Sequence, residues 1–211
     1  MLELIRFFPF AKIGRIYFHG SRKKKQVAIT FDDGPTEKTL EALKTLKKHK
    51  VKATFFFLGE RIPKYKKVIK PILKQGSEIG NHTYNHLDVI HISKSKIKNT
   101  IIKTDKELGF KTKLFRPPHM RFGLNLFSVL RKLNKKAIIC DVEPRDWALP
   151  GTNKVVSRIL KYVKNGSIIG LHENMYRRGI NTDLIEILNK VIPTLKKKYK
   201  LVTVSELLKN F

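Results

Sequence analysis

Short β-favouring runs alternate with amphipathic helical patterns along nearly the whole chain, and this alternation restricts the fold more than any other feature. The β-type runs are Gln26–Phe31, Ala53–Leu58, Glu78–Gly80, Leu114–Phe115, Ala137–Cys140, Ser167–Leu171 and Leu201–Val204. Helical patterns fill the intervals at Glu37–His49, Ile62–Lys74, Ser93–Leu108, Leu124–Leu133, Val155–Val163 and Leu184–Leu195. A short last helix is capped by Thr203 or Ser205. Leu40, Leu43 and Leu46 show the helical period; Gly76 and Gly109 are stop signals, and Pro71 predicts a kink. Seven strands separated by helices imply an α/β fold with a parallel sheet, which right-handed crossovers close or nearly close into a barrel.

The 211 residues suit one domain with a full core. The single cysteine, Cys140, excludes an intramolecular disulfide and fits a reducing compartment. No stretch reaches the roughly 18–20 apolar residues of a membrane helix. Met1–Lys12 lacks the basic start and unbroken apolar middle of a signal peptide, so the expected location is cytoplasmic or peripheral at the membrane face. Residues 1–25 read as an apolar and basic lead-in packed on or near the barrel, and residues 26–211 as the main domain. Phe7, Phe8 and Phe10 either cover the bottom of the fold or rest on a membrane surface.

The net charge is +28, with basic clusters at Arg22–Lys25, Lys64–Lys67 and Lys196–Lys198. Such a field favours anionic partners, acidic membrane among them; the alternative is a lysine-rich solvated surface. No zinc-finger spacing, RNA-binding aromatic motif or long basic helix is present, which argues against specific nucleic-acid recognition.

Polar residues gather at the carboxyl ends of the expected strands, where folds of this class place ligands. Asp32 and Asp33 follow the first strand, His82 and His86 the third, Arg116 the fourth, Asp141–Trp147 the fifth and His172 the sixth. Two adjacent carboxylates repel unless a cation lies beside them; the alternative is a solvated acidic turn. On a helical turn, His82 and His86 would share one face and reach one ion. Two histidines and an aspartate make three protein ligands, the open donor set of a catalytic metal site.

In these residues the chain resembles the polysaccharide deacetylases with a NodB-homology domain, of the carbohydrate esterase family 4 type. The five motifs occur in order: Thr30-Phe31-Asp32-Asp33-Gly34-Pro35, His82-Thr83-Tyr84-Asn85-His86, Arg116-Pro117-Pro118, Asp146-Trp147 and Leu171-His172. The resemblance implies a distorted (β/α) barrel and metal-dependent removal of N-acetyl groups from an N-acetylhexosamine of a cell-envelope glycan. It implies that Asp33, His82 and His86 hold one divalent ion, zinc, cobalt or similar. It further implies Asp32 as base, Arg116 as its holder, His172 as acid, Asp146 as partner of His172, and Trp147 as a wall of the acyl pocket. The loop at Pro118-His119 would offer a backbone N–H to the oxyanion, and Leu171 and Gly170 would lie beside the acyl group.

The chain departs from the family pattern at three places. His119 stands where the family has tyrosine, Met120 where it has glycine, and Gly170 where it has leucine. Strand alternation puts residues 170 and 172 on one side, so glycine at 170 leaves the volume of a leucine open; either a neighbour such as Met120 or Met175 fills it and acetyl selectivity survives, or the acyl pocket is larger. His19, His49 and His91, with the side chain of His119, read as surface or capping residues. Two other functions compete with the first. One is deacylation of a sugar on a lipid-phosphate anchor, favoured by the basic surface; the other is a catalytically silent glycan-binding module.

Overall fold

The computed structural model describes residues 12–173 and 182–209. A hairpin of β1 (Lys12–Ile13) and β2 (Ile16–Tyr17) leads into β3 (Gln26–Gly34) and α1 (Lys38–Lys48). Next come β4 (Thr54–Phe57), the short α2 (Ile62–Tyr65) and α3 (Ile69–Lys74), β5 (Glu78–Asn81) and α4 (Lys94–Leu108). Then follow β6 (Leu114–Phe115), α5 (Leu124–Lys132), β7 (Lys136–Ile138), α6 (Thr152–Tyr162) and β8 (Ile168–His172). The described chain ends with α7 (Leu184–Lys196), β9 (Lys200–Leu201) and α8 (Val204–Leu207).

The strands run in the order β1-β2-β7-β6-β5-β4-β3-β8, with β9 beside β3. Every pairing is parallel except the β1–β2 hairpin. Past the end of β7, Val142 forms a bridge with Ile169 of β8. Its N–H donates to the Ile168 carbonyl at 3.2 Å, and its carbonyl accepts from the Gly170 N–H at 3.0 Å. One bridge therefore closes what is otherwise an open sheet, and the result is the distorted α/β barrel expected from the sequence.

Asp141 reinforces that seam. Its carboxylate accepts from Arg22 Nη2 at 2.8 Å, Ser167 Oγ at 3.0 Å and the Ile168 N–H at 2.7 Å. Arg22 also donates to the Asn165 carbonyl at 2.7 Å, so residues before β3 help close the barrel.

Two apolar layers support the strands. Ile29 and Phe31 of β3 and Ile169 and Leu171 of β8 pack towards α1, α6 and α7 through Leu43, Leu46, Val155, Ile187 and Val191. Ala28, Phe56, Ile138 and Ile168 belong to a second cluster with Ile97 and Ile101 of α4 and Leu126 and Leu130 of α5. Each fully buried Leu, Ile or Phe contributes about 1.5–3 kcal/mol. Helix ends follow the sequence signals. Ser93 Oγ accepts from the Lys96 N–H at 3.2 Å, Gly109 takes φ 81° after α4, and Thr203 rather than Ser205 caps α8.

Three details differ from the sequence reading. The hairpin strands have two residues each, too few to leave a periodic signal. The helical run Ile62–Lys74 is broken at residues 66–68, while Pro71 lies in the first turn of α3, where its missing N–H costs nothing. Gly34, not Phe31, ends β3. Phe7, Phe8, Phe10 and Met175 lie outside the described residues. No described helix is long and apolar enough to cross a membrane.

Asp141→Ala leaves the buried Ile168 N–H and Ser167 hydroxyl without their acceptor. We expect it to lower unfolding stability by about 2–3 kcal/mol, read from denaturant melts.

Candidate active site

In a regular strand, Asp32 and Asp33 would point to opposite faces. The register of β3 breaks between Phe31 and Gly34, and Asp33 takes a left-handed backbone conformation at φ 64°. The break aims both carboxylates into the end of the barrel. Such a conformation costs a non-glycine residue about 1–3 kcal/mol and persists where neighbours impose it. Here Arg61 Nη1 donates to the Asp33 carbonyl at 2.5 Å, the Leu58 N–H to the Gly34 carbonyl at 2.7 Å, and the Glu173 N–H to the Asp32 carbonyl at 3.1 Å. Position 34 requires glycine, since a β-carbon there would lie 2.4 Å from Glu173 Oε1.

Asp32 is buried, and so is Arg116. Arg116 Nη1 donates to Asp32 Oδ1 at 2.8 Å and to Thr30 Oγ1 at 2.7 Å, and Nε donates to the Ile138 carbonyl at 3.2 Å. The guanidinium carbon lies 4.1 Å from the centre of the Phe56 ring. Burial alone would raise the Asp32 pKa, but the charge of Arg116, then those of His82 and His172, hold it below the ordinary carboxylate value. Asp32 is thus a buried, ionised acceptor.

His82 and His86 meet by a different route from the helical turn expected. No helix forms there; Thr83 and His86 take left-handed conformations at φ 68° and φ 56°. Asn81 makes the turn possible. Its Oδ1 accepts from the Thr83 N–H at 3.0 Å, and its Nδ2 donates to Asp105 Oδ1 and to the Ile101 carbonyl, each at 2.9 Å. Lys135, buried, donates to Asp105 Oδ2 at 2.7 Å and anchors that network.

The two imidazole rings stand edge to face, 5.1 Å apart. His82 Nδ1 lies 2.7 Å from the Arg116 carbonyl, which can only accept; Nδ1 therefore donates there, and Nε2 is left facing Asp33. His82 Nε2 is 3.7 Å and His86 Nε2 3.5 Å from Asp33 Oδ1. Burial, and then the neighbouring His82, lower the His86 pKa to about 4, so the His86 ring is neutral. Asp33 Oδ1 is buried and has no hydrogen-bond partner. Two ring nitrogens and an orphaned carboxylate oxygen, all within 4.8 Å of one another, suit a divalent cation.

His172 lies beside Asp32 as its cross-strand partner in the β3–β8 ladder. Asp146, fully buried, accepts from the His172 N–H at 2.7 Å and from its ring Nδ1 at 2.8 Å. Burial lowers the His172 pKa, but the charge and hydrogen bond of Asp146, then the charges of Asp32 and Asp33, raise it to about 10. The ring is an imidazolium at neutral pH, with Nε2 available to donate a proton.

The remaining expected site residues divide. His119 is exposed in a left-handed turn over residues 118–120, its ring edge to face with His86 at 4.6 Å. It therefore belongs to the site, not to the general surface. Pro118 is buried at the start of that turn. Trp147 is half exposed, with Nε1 donating to Glu143 Oε1 at 2.9 Å. Leu171 is buried in the layer beneath α1 and α7, on the opposite side of β8 from His172, so its side chain does not reach the site. Gly170 opens no volume. A β-carbon there would lie 2.7 Å from Cys140 Sγ and 4.0 Å from Met120 Cε. Cys140, buried on the neighbouring segment, fills the space a leucine would need.

Glu173, Arg61 and Asn81 are positioning groups that the sequence reading did not single out. Glu173 is buried, accepts from the hydroxyls of Thr36 and Thr39, and has its pKa raised to about 7 by burial. Adjacency to His172 was the only sequence signal for it, because its partners lie more than a hundred residues away. His19 is buried against the Gly20 carbonyl, and His49 caps α1, both outside the site.

Gly170→Ala should lower stability by about 1–3 kcal/mol through overpacking against Cys140. Adding Cys140→Ala should recover part of that loss in a double-mutant cycle by denaturant melts.

The polysaccharide deacetylase family profile matches residues 19–138. A peptidoglycan-N-acetylglucosamine deacetylase of Bacillus cereus is 36% identical over 203 residues, covering 93% of this chain and 94% of the relative. The crystal structure of the peptidoglycan N-acetylglucosamine deacetylase Bc1960 superposes with a TM-score of 0.86 at 33% identity, over 93% of this chain and 94% of that one. BA3943 of Bacillus anthracis, a CE4 family pseudoenzyme, gives a TM-score of 0.83 at 26% identity, over 93% and 69%. A family 4 acetyl xylan esterase from Clostridium thermocellum, in complex with a cobalt ion, gives 0.78 at 31% identity, over 87% and 90%. With the profile spanning more than half of its residues, this chain belongs to the polysaccharide deacetylase family.

Proposed function

We propose that residues 26–211 form a metal-dependent N-deacetylase acting on an N-acetylhexosamine of a cell-envelope glycan. One observation carries this reading: the cation-binding set Asp33, His82 and His86 faces an ionised Asp32 and a protonated His172 paired across two adjacent strands. The relatives named for peptidoglycan N-acetylglucosamine supply the substrate class. A divalent ion on Asp33, His82 and His86, zinc or cobalt, would polarise the acyl oxygen and acidify a water.

The chain's own residues supply the proton transfers. Asp32 accepts a proton from the attacking water as its oxygen bonds to the acyl carbon. Arg116 keeps Asp32 ionised and aimed. The tetrahedral centre then collapses with cleavage of the carbon–nitrogen bond. His172 Nε2 gives its proton to the departing nitrogen, leaving acetate and a free amine. Asp146 holds the His172 ring and keeps it charged until that step. His119 stands at the edge of the cation site and Trp147 at the mouth, where a sugar ring would lie.

The +28 charge favours a second substrate reading, a sugar on a lipid-phosphate anchor, with the protein peripheral to an anionic envelope surface. Because a pseudoenzyme shares the fold, turnover is the deciding measurement. N-acetylglucosamine oligomers should release free amine in the presence of zinc or cobalt and stop doing so on chelation. No amine release from any acetylated glycan by the metal-loaded protein would leave only glycan binding.

Asp32→Asn should keep metal content and reduce the rate by about 10²–10⁴-fold. Asp146→Asn should lower the His172 pKa and move the alkaline limb of the kcat/KM profile to lower pH. An unmoved limb would remove His172 as the acid.

A further inference from the structure

The base of the barrel carries a second concave site, formed at the amino-terminal ends of strands opposite the catalytic mouth. Lys113 immediately precedes β6 and Lys136 begins β7, while Arg15 precedes β2 and Lys209 follows α8. These four cations surround a cavity of about 580 Å³, together with Asn134 and Ser205. Among the described residues, no carboxylate lines it.

None of the four cations forms an ion pair among the described residues. Arg15 Nη1 donates to Asn134 Oδ1 at 3.0 Å, which orients the guanidinium and leaves the amide nitrogen of Asn134 as a further donor. Lys136 is half-buried, its ammonium 5.2 Å from the centre of the Tyr17 ring. The Glu78 carboxylate lies close by, behind the lining residue Ser205: its Oε1 accepts from Thr54 Oγ1 at 2.7 Å and from the Ser205 N–H at 2.9 Å.

Other depressions are lysine-lined as well; this one differs in its arginine, oriented by Asn134, and in gathering four cations with no carboxylate among its described lining residues. Like charges gathered around one cavity raise each other's energy, and an anion with several acceptor oxygens relieves that repulsion. A planar guanidinium, three ammonium groups and two neutral hydrogen-bonding side chains match phosphate chemistry. We propose that this basal pocket binds a phosphate-bearing ligand, independently of whether the chain deacetylates glycans.

The test is isothermal titration of the whole protein with inorganic pyrophosphate at low and raised ionic strength. Two double variants remove equal charge: Lys113→Gln with Lys136→Gln at the pocket, and Lys44→Gln with Lys74→Gln at a depression elsewhere on the surface. The expected result is one-to-one binding weakened tenfold or more by the pocket pair and less than twofold by the distant pair. Lys113→Gln with Lys209→Gln should repeat the effect without altering a strand residue. Equal weakening by pocket and distant pairs, or an isotherm that never saturates, would overturn the proposal. Vesicles containing phosphatidylglycerol identify the source. Their displacement by pyrophosphate marks a lipid headgroup as the ligand, and pyrophosphate binding unaffected by vesicles marks a soluble phosphate.

Discussion

The break in β3 is the constraint on which the rest of the site depends. A strand places consecutive side chains on opposite faces, and adjacent aspartates can serve one site only if the strand ceases to be regular between them. The left-handed Asp33 provides that irregularity. Its neighbours hold it from three directions: Arg61 from the loop after β4, Leu58 through the Gly34 carbonyl, and Glu173 from the end of β8. The glycine at position 34 follows from the same packing, because the buried Glu173 carboxyl occupies the space of a side chain there.

Electrostatics then separate the two aspartates into distinct environments. Asp32 lies against a buried guanidinium; Asp33 lies against two imidazoles and keeps an unpartnered oxygen. A buried ion pair does not by itself add much stability, since desolvation offsets most of the Coulomb attraction. The Arg116–Asp32 pair is better understood as keeping a buried base ionised. The Asp146–His172 pair does the reverse for an acid, with a carboxylate keeping an imidazole charged.

The sequence made the architecture legible because each strand–helix unit carries its own periodicity and stop signals. It made the reacting residues legible because they occupy the ends of those units. What escaped it was set by contacts between distant segments. The two-residue hairpin strands, the non-helical turn of His82 and His86, and the Asn81–Asp105–Lys135 network arise from tertiary hydrogen bonds with no local pattern. Gly170 shows the same limit. Alternation correctly gives the side of the strand it faces, but only the structure shows Cys140 already there.

The pairing of Asp32 with His172 has a consequence for how such a protein diversifies. These residues are direct partners in a parallel ladder, so backbone hydrogen bonds, not loops, fix their separation. Adjacent strands lie about 4.8 Å apart in any sheet. Loops bearing His119 and Trp147 can therefore lengthen, shorten or exchange residues without disturbing that distance. Lineages of this fold can explore new ligands by drift in the rim while the paired groups stay in register, and insertions within β3 or β8 are the changes that selection should tolerate least.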